Sequence, residues 1–145
     1  MELVNLANYY DIPTDMLELE ITESVITDNE EEIYPVLSEI RASGFRINMD
    51  DFGTGMSSLN MLLFAPVDVV KVDKRFLEVS IDQKNQRYIE YLGGLIQAAN
   101  KEIIFEGVET EEQAKFLMEC GYNRAQGYLF DKPLDVESFQ KKYVY

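Results

Sequence analysis

The sequence predicts an α/β fold with a parallel sheet, on two observations. Short runs rich in Leu, Ile and Val recur along the 145 residues, and amphipathic helical patterns lie between them. Near-continuous apolar strands alternating with helices are the pattern of a parallel sheet covered on both faces. The strand runs are Leu17–Thr22, Phe45–Met49, Val67–Val72, Glu102–Phe105 and, less distinctly, Ala125–Phe130. They give about five strand–helix units, too few for a closed eight-stranded barrel. Five units fit either an open doubly wound sheet or the latter part of a barrel.

Each helix has its own signal. Glu2–Tyr10 places Leu3, Leu6 and Ala7 at helical spacing, so the chain opens in a helix. Ile33, Val36, Leu37 and Ile40 fall at i, i+3, i+4 and i+7 and form one apolar face. Pro35 fits that helix if it begins near Tyr34, with proline in the first turn. Ile89, Leu92, Ile96 and Ala99 make another face, weakened by Gly93 and Gly94. Thr110 with Gln113 reads as a capping box before AKFLMEC, and Gly121 as the glycine just past its end. Asp135 caps a last helix through Phe139.

Composition narrows the function. Thirteen basic against 27 acidic residues give a net charge of −14. A DNA- or RNA-binding surface needs a basic stripe, and this balance argues against one. A small phosphate ligand remains compatible, because bound metals invert the local field. One cysteine, Cys120, allows no internal disulfide and fits a reducing, cytoplasmic compartment. In the apolar stretch FLMECG it reads as a small buried hydrophobe. No apolar run approaches the ~18 residues of a membrane span, and MELVNLANYY lacks the features of a signal peptide.

The chain has no histidine. Catalysis would run on carboxylates, lysine, metal-bound water or the one thiol. Glu20, the pair Asp50 and Asp51, and Glu106 all fall near the ends of strand runs, and Lys71 lies inside another. In a parallel sheet, sites form beyond the carboxyl ends of the strands. Any one of these carboxylates alone would be an ordinary solvated loop residue; the series points to divalent metals acting on phosphate. Two metals ~3.5–4 Å apart would activate a water and neutralise phosphate oxygens in an in-line displacement. DFGTGMSS follows the aspartate pair, and Gly53 and Gly55 permit a tight or left-handed backbone. Its spacing is neither a dinucleotide nor a P-loop fingerprint, and the letters DFG lack the other kinase motifs. Carboxylates and a lysine at strand ends also serve enolase-type proton abstraction. An acidic pair with a lysine also occurs in receiver domains, there near the start of the chain.

Five motifs in order, LELEITES, MDDFGTGMSSL, VVKVDKRF, EGVETEEQ and QGYLFDKP, resemble the EAL domain, the cyclic-di-GMP phosphodiesterase module of bacterial signalling. The resemblance runs from about Asp11 to Phe139. It implies a TIM-type (β/α) barrel, here a partial one, and metal-dependent hydrolysis of cyclic-di-GMP to the linear dinucleotide. It implies two metals, Mg2+ or Mn2+: Glu20 as a ligand of the first, Asp50 bridging both, Asp51 at the second and Glu106 as a further ligand. Lys71 would orient or polarise the attacking water. Glu23 would hold the Asp51–Ser58 loop, in which Gly53, Thr54 and Ser57 lie. Glu109 and Gln126 would support the site from its edge.

Departures from that pattern shape the expectation. The Glu-Ala-Leu strand and the asparagine-bearing strand after it, which supply first-metal ligands, have no counterpart in MELVNLANYYDIPTDM. Residues 1–145 therefore read as a truncated EAL-like domain lacking about three barrel strands. Met56 replaces a usual aromatic residue, and Phe105 a usual alanine. The isolated chain is expected to hydrolyse little or nothing, to bind cyclic-di-GMP weakly, and to self-associate through its incomplete barrel. The alternative is a non-catalytic EAL-like remnant serving as a binding or interaction module.

Overall fold

The computed structural model describes residues 2–55, 59–78 and 83–144. In order these form α1 (Glu2–Tyr9), β1 (Glu18–Thr22), α2 (Glu23–Asp28), α3 (Glu30–Ala42), β2 (Arg46–Phe52), α4 (Leu59–Phe64), β3 (Val69–Val72), α5 (Gln83–Ala98), β4 (Glu102–Phe105), α6 (Glu111–Glu119) and α7 (Val136–Tyr143). Short 3-10 turns at Thr14–Met16 and Lys74–Phe76 precede β1 and follow β3. The four strands are all parallel and lie in chain order, β1-β2-β3-β4.

That order decides between the two architectures left open by the sequence. A doubly wound sheet reverses its strand order at a switch point; this one never reverses, and so winds in one sense like the wall of a barrel. Its two faces differ in chemistry. One carries Ile47, Met49, Val70, Val72, Ile103 and Phe105, which join Leu37, Met61, Ile89, Ile96, Phe116 and Leu117 of the helices in one apolar core. The other carries Glu18, Glu20, Asn48, Asp50, Lys71 and Glu102, by the alternation of side chains along each strand. The expected sheet covered by helices on both faces is thus corrected: helices α2 to α6 pack on one face, and charged groups line the other.

Three further expectations change. The fifth run, Ala125–Phe130, is reduced to one parallel bridge between Phe105 and Ala125, because the chain turns at Gly127, where a side chain would strike the Val108 backbone. Helix α3 starts at Glu30, leaving Pro35 in its interior. Three first-turn glutamates favour the helix N-terminus, and burial of Ile33, Tyr34, Leu37 and Ile40 offsets the lost amide donor. Val36, expected on that apolar face, is 47% exposed. The last helix runs past Phe139 to Tyr143, and in α1 only Ala7 is buried, while Leu3 and Leu6 stay exposed.

Other local signals match what forms. Gln113 N donates to Thr110 Oγ1 at 3.2 Å and Thr110 N to Gln113 Oε1 at 3.1 Å, the reciprocal capping box. Asp135 accepts from Ser138 N at 2.9 Å. The Gly93 position leaves space that the Tyr122 hydroxyl fills, reaching Glu90 O at 3.2 Å, so this glycine gives up helix propensity for close packing. Cys120 is half-buried, and burial first, then the charges of Glu90 and Glu119, push its thiol up to about 11. Such a thiol is inert at neutral pH. No helix among the described residues is long and apolar enough to cross a membrane.

Asp68, just before β3, ties α3 to the sheet. It accepts from Arg41 Nη2 at 2.6 Å and from the Ile47 amide at 2.9 Å. Burial opposes its charge, but the bonds from Arg41 and Ile47 outweigh it and hold the carboxyl below its usual range. A depressed carboxyl stabilises the fold above its unfolded pKa and loses that contribution as pH falls through the folded value. Asp68→Asn is expected to lower unfolding free energy at pH 7 by about 1–2 kcal/mol. In urea titrations the gap from wild type should close below about pH 4; equal midpoints at pH 7 would contradict this.

Candidate active site

Strand ends bring the expected residues together. Lys71 comes from β3, between β2 and β4, and its side chain is only 4% exposed. Its Nζ lies 2.7 Å from Glu20 Oε1, 3.1 Å from Asp50 Oδ1 and 2.9 Å from Glu106 Oε1. Burial alone would lower the pKa of this ammonium; the bonds to Glu20, Glu106 and Asp50 outweigh burial and raise it. The lysine is therefore charged and faces three carboxylates, donating to Glu20 Oε1 and lying in ion-pair range of Asp50 and Glu106. Burial raises the Glu106 carboxyl above its usual range, opposed by Lys71 and reinforced by the Asp50 charge.

The β2 terminus adds a second grouping. Strict alternation would send adjacent Asp50 and Asp51 to opposite faces. The β2–β3 register is instead irregular between Met49 and Phe52, and Asp51 adopts φ +57°, a left-handed conformation that aspartate tolerates better than most residues. Carboxylate oxygens of Asp50, Asp51 and Glu106 consequently lie within 4.8 Å of one another. Three hard oxygen donors at this spacing suit a divalent cation. Glu20 stands apart from that group on the edge strand β1. Its side chain is 50% exposed, against 24% for Asp50 and 18% for Glu106.

Glu23, first residue of α2, is 1% exposed. Its Oε2 accepts the Gly53 amide at 2.7 Å, and its Oε1, unpartnered among the described residues, lies 3.0 Å from where a side chain on Gly55 would begin. Gly53 has φ +91°, and a Cβ there would collide with the Phe76 ring. Thr54 donates its amide to Asp51 O at 3.1 Å, tightening the turn after the aspartate pair. Met56 and Ser57 lie outside the described residues. Among the described residues Glu109 and Gln126 make no hydrogen bond or ion pair with the cluster. Both are exposed; the Glu109 amide binds Gln113 Oε1, and the Gln126 backbone bridges Phe105 and Val108.

A lower polar layer escaped the sequence reading. Asn48 Nδ2 donates to Glu18 Oε2 at 2.9 Å, and Arg46 pairs with Glu18 at 3.3 Å and Glu102 at 2.9 Å, while Arg124 pairs with Glu102. The alternation of charged residues in LELE and RINMD carries the signal, since a charge at every second position marks a polar sheet face.

A singly wound parallel wall with a lysine–carboxylate cluster at the carboxyl ends of its strands defines a barrel-type protein with a candidate metal site. The EAL domain family matches residues 1–133, and the chain belongs to that family. It is 36% identical over 135 residues to the signaling protein YkoW of Bacillus subtilis, spanning 92% of this chain and 17% of that protein. It is 34% identical over 128 residues to the cyclic di-GMP phosphodiesterase PdeR of Escherichia coli, spanning 88% of this chain and 19% of PdeR. The solved c-di-GMP complex of the PaMucR phosphodiesterase superposes with a TM-score of 0.84 at 34% identity, covering 93% of this chain and 55% of that one. The chain thus spans less than a fifth of these two curated relatives and about half of the solved domain.

Removing Lys71 leaves three carboxylates facing one another without their cation. Lys71→Met is expected to lower unfolding free energy by about 3 kcal/mol or more in metal-free buffer at pH 7. Thermal and urea melts give the readout, and an unchanged midpoint would show that the cluster is not held together by this charge.

Proposed function

We propose that this chain is the C-terminal part of a cyclic-di-GMP phosphodiesterase module and that, by itself, it turns over little or no substrate. The observation that carries this reading is the Lys71 ammonium bonded to Glu20, Asp50 and Glu106 with Asp51 adjacent. Family membership supports the substrate class. In this reading Asp50, Asp51 and Glu106 hold one divalent cation, Mg2+ or Mn2+, and Glu20 contributes to a second position that needs further oxygen ligands. Divalent ions bound there acidify water and neutralise phosphate charge.

The residues of the chain do the rest. Lys71 stays protonated and donates a hydrogen bond that orients the attacking water and stabilises developing negative charge. The water oxygen bonds to phosphorus, the bond from phosphorus to one ribose oxygen breaks, and that oxygen takes up a proton, leaving the linear dinucleotide. Glu23, through the Gly53 amide, holds the turn carrying Thr54 beside the site. Glu109 and Gln126 act at its edge. The half-exposed Glu20 on the open β1 edge favours a second reading, a non-catalytic remnant that binds nucleotide or partner without hydrolysis. The open edges also support self-association, and the lone reduced thiol supports a cytoplasmic location.

Chromatographic assay of cyclic-di-GMP with the isolated chain and Mg2+ or Mn2+ is expected to give no linear product above blank. Calorimetry should detect nucleotide binding that requires metal and is lost in Asp50→Ala. Turnover abolished by Asp50→Ala would contradict the inactive-chain reading, and absence of metal-dependent binding would leave only the remnant reading.

A further inference from the structure

We propose that this chain closes its barrel against a second copy, head to tail, with Arg124 of each copy paired to Glu18 of the other. The inference rests on the self-association reading above and on neither catalysis nor nucleotide binding.

Both sides of the sheet are open. Among the described residues β1 has a strand neighbour only in β2, and beyond β4 the Arg124–Gln126 segment, bonded to Phe105, forms the other side. Across the polar face runs a row of alternating charge, Glu18–Arg46–Glu102–Arg124. The row ends in a carboxylate at the β1 edge and in a guanidinium beyond β4. Glu18 is held by Arg46 and Asn48 and Arg124 by Glu102, and each keeps a half-open side toward solvent. A copy rotated about the barrel axis would continue the alternation at both ends, Arg124 to Glu18 and Glu18 to Arg124.

Charge elsewhere follows the same polarity. Residues 1–40, which build the β1 side, contain eleven carboxylates and no lysine or arginine. Residues 124–144, which build the other side, hold four basic and three acidic residues. Two β1 sides therefore repel and unlike sides attract, so the electrostatics favour head-to-tail over a symmetric contact between β1 sides. Apolar surface is present at both sides for such a contact to cover. Leu6, Tyr9 and Met16 are exposed before β1, and a groove of about 740 Å³ beside β4 is lined by Ile104, Tyr128 and Phe139. Each copy presents four regular parallel strands with the Arg124–Gln126 segment beside β4, and two identical contacts between copies close on a two-fold axis instead of propagating.

Charge-reversal variants studied by sedimentation velocity and light scattering test the arrangement. Wild type should run at twice the 16.8 kDa chain mass, with association weakened by salt. Arg124→Glu alone and Glu18→Arg alone should each weaken association at least ten-fold. An equimolar mixture of the two should recover a dimer, because both contacts then pair opposite charges, as should the double variant Glu18→Arg/Arg124→Glu. Circular dichroism checks that each variant is folded, and the mixture and double variant carry the test if one single variant is not. Single variants that dimerise like wild type would overturn the head-to-tail pairing while leaving self-association intact. A ladder of larger species would overturn closure, and a monomeric wild type would overturn both the pairing and the self-association beneath it.

Discussion

Lys71 Nζ is within 3.1 Å of carboxylate oxygens from Glu20, Asp50 and Glu106, and this contact organises the polar face of the sheet. Opposite charges about 3 Å apart attract by roughly 5 kcal/mol at an effective dielectric near 20. Burying an ammonium costs several kcal/mol, which one partner only approximately offsets. Three partners exceed it, and so the lysine stays charged although almost wholly enclosed. The converse holds for the carboxylates, which could not converge from β1, β2 and the end of β4 without a cation between them. The site is thus preorganised by its own counter-charge.

The remaining architecture follows from keeping that face polar. Because helices α2 to α6 pack on the opposite face, the sheet winds in one sense and its strands place their carboxyl ends on one rim. The break in register at Asp50–Phe52 then matters more than its size implies. It turns two consecutive side chains toward the same rim, and Glu23 and Phe76 fix the turn that follows through the Gly53 amide and the space where its side chain would be. Open edges are the other consequence. A wall that covers only one face leaves charged and apolar groups at both sides, and it does so with opposite charge at each.

Much of this was legible in the sequence. The four strand runs, the α6 capping box, the α5 face and the convergence of Glu20, Asp50, Lys71 and Glu106 all follow from periodicity and position. What was not legible depends on tertiary geometry. Pro35 inside α3 is tolerated because the helix buries Ile33, Tyr34 and Leu37, a gain that no local propensity records. The left-handed Asp51 has no signal beyond the tolerance of aspartate for that conformation. Lys101 reads as a surface lysine, yet it is buried and its ammonium donates to Ala65 O and Val67 O at 2.8 and 3.1 Å, closing the turn before β3. The Ala125–Phe130 run has the composition of a strand, and only the approach of Gly127 to the Val108 backbone shows why it pairs at a single residue.

In the proposed function one position is complete and another partial: Asp50, Asp51 and Glu106 together would hold a divalent cation, whereas Glu20 at the β1 edge would need further ligands. Electron paramagnetic resonance of Mn2+ titrated into the isolated chain measures this directly. One tight Mn2+ per chain, lost in Asp50→Asn and retained in Glu20→Gln, is the predicted result. Two equivalent tight sites, or binding unchanged by Asp50→Asn, would contradict it.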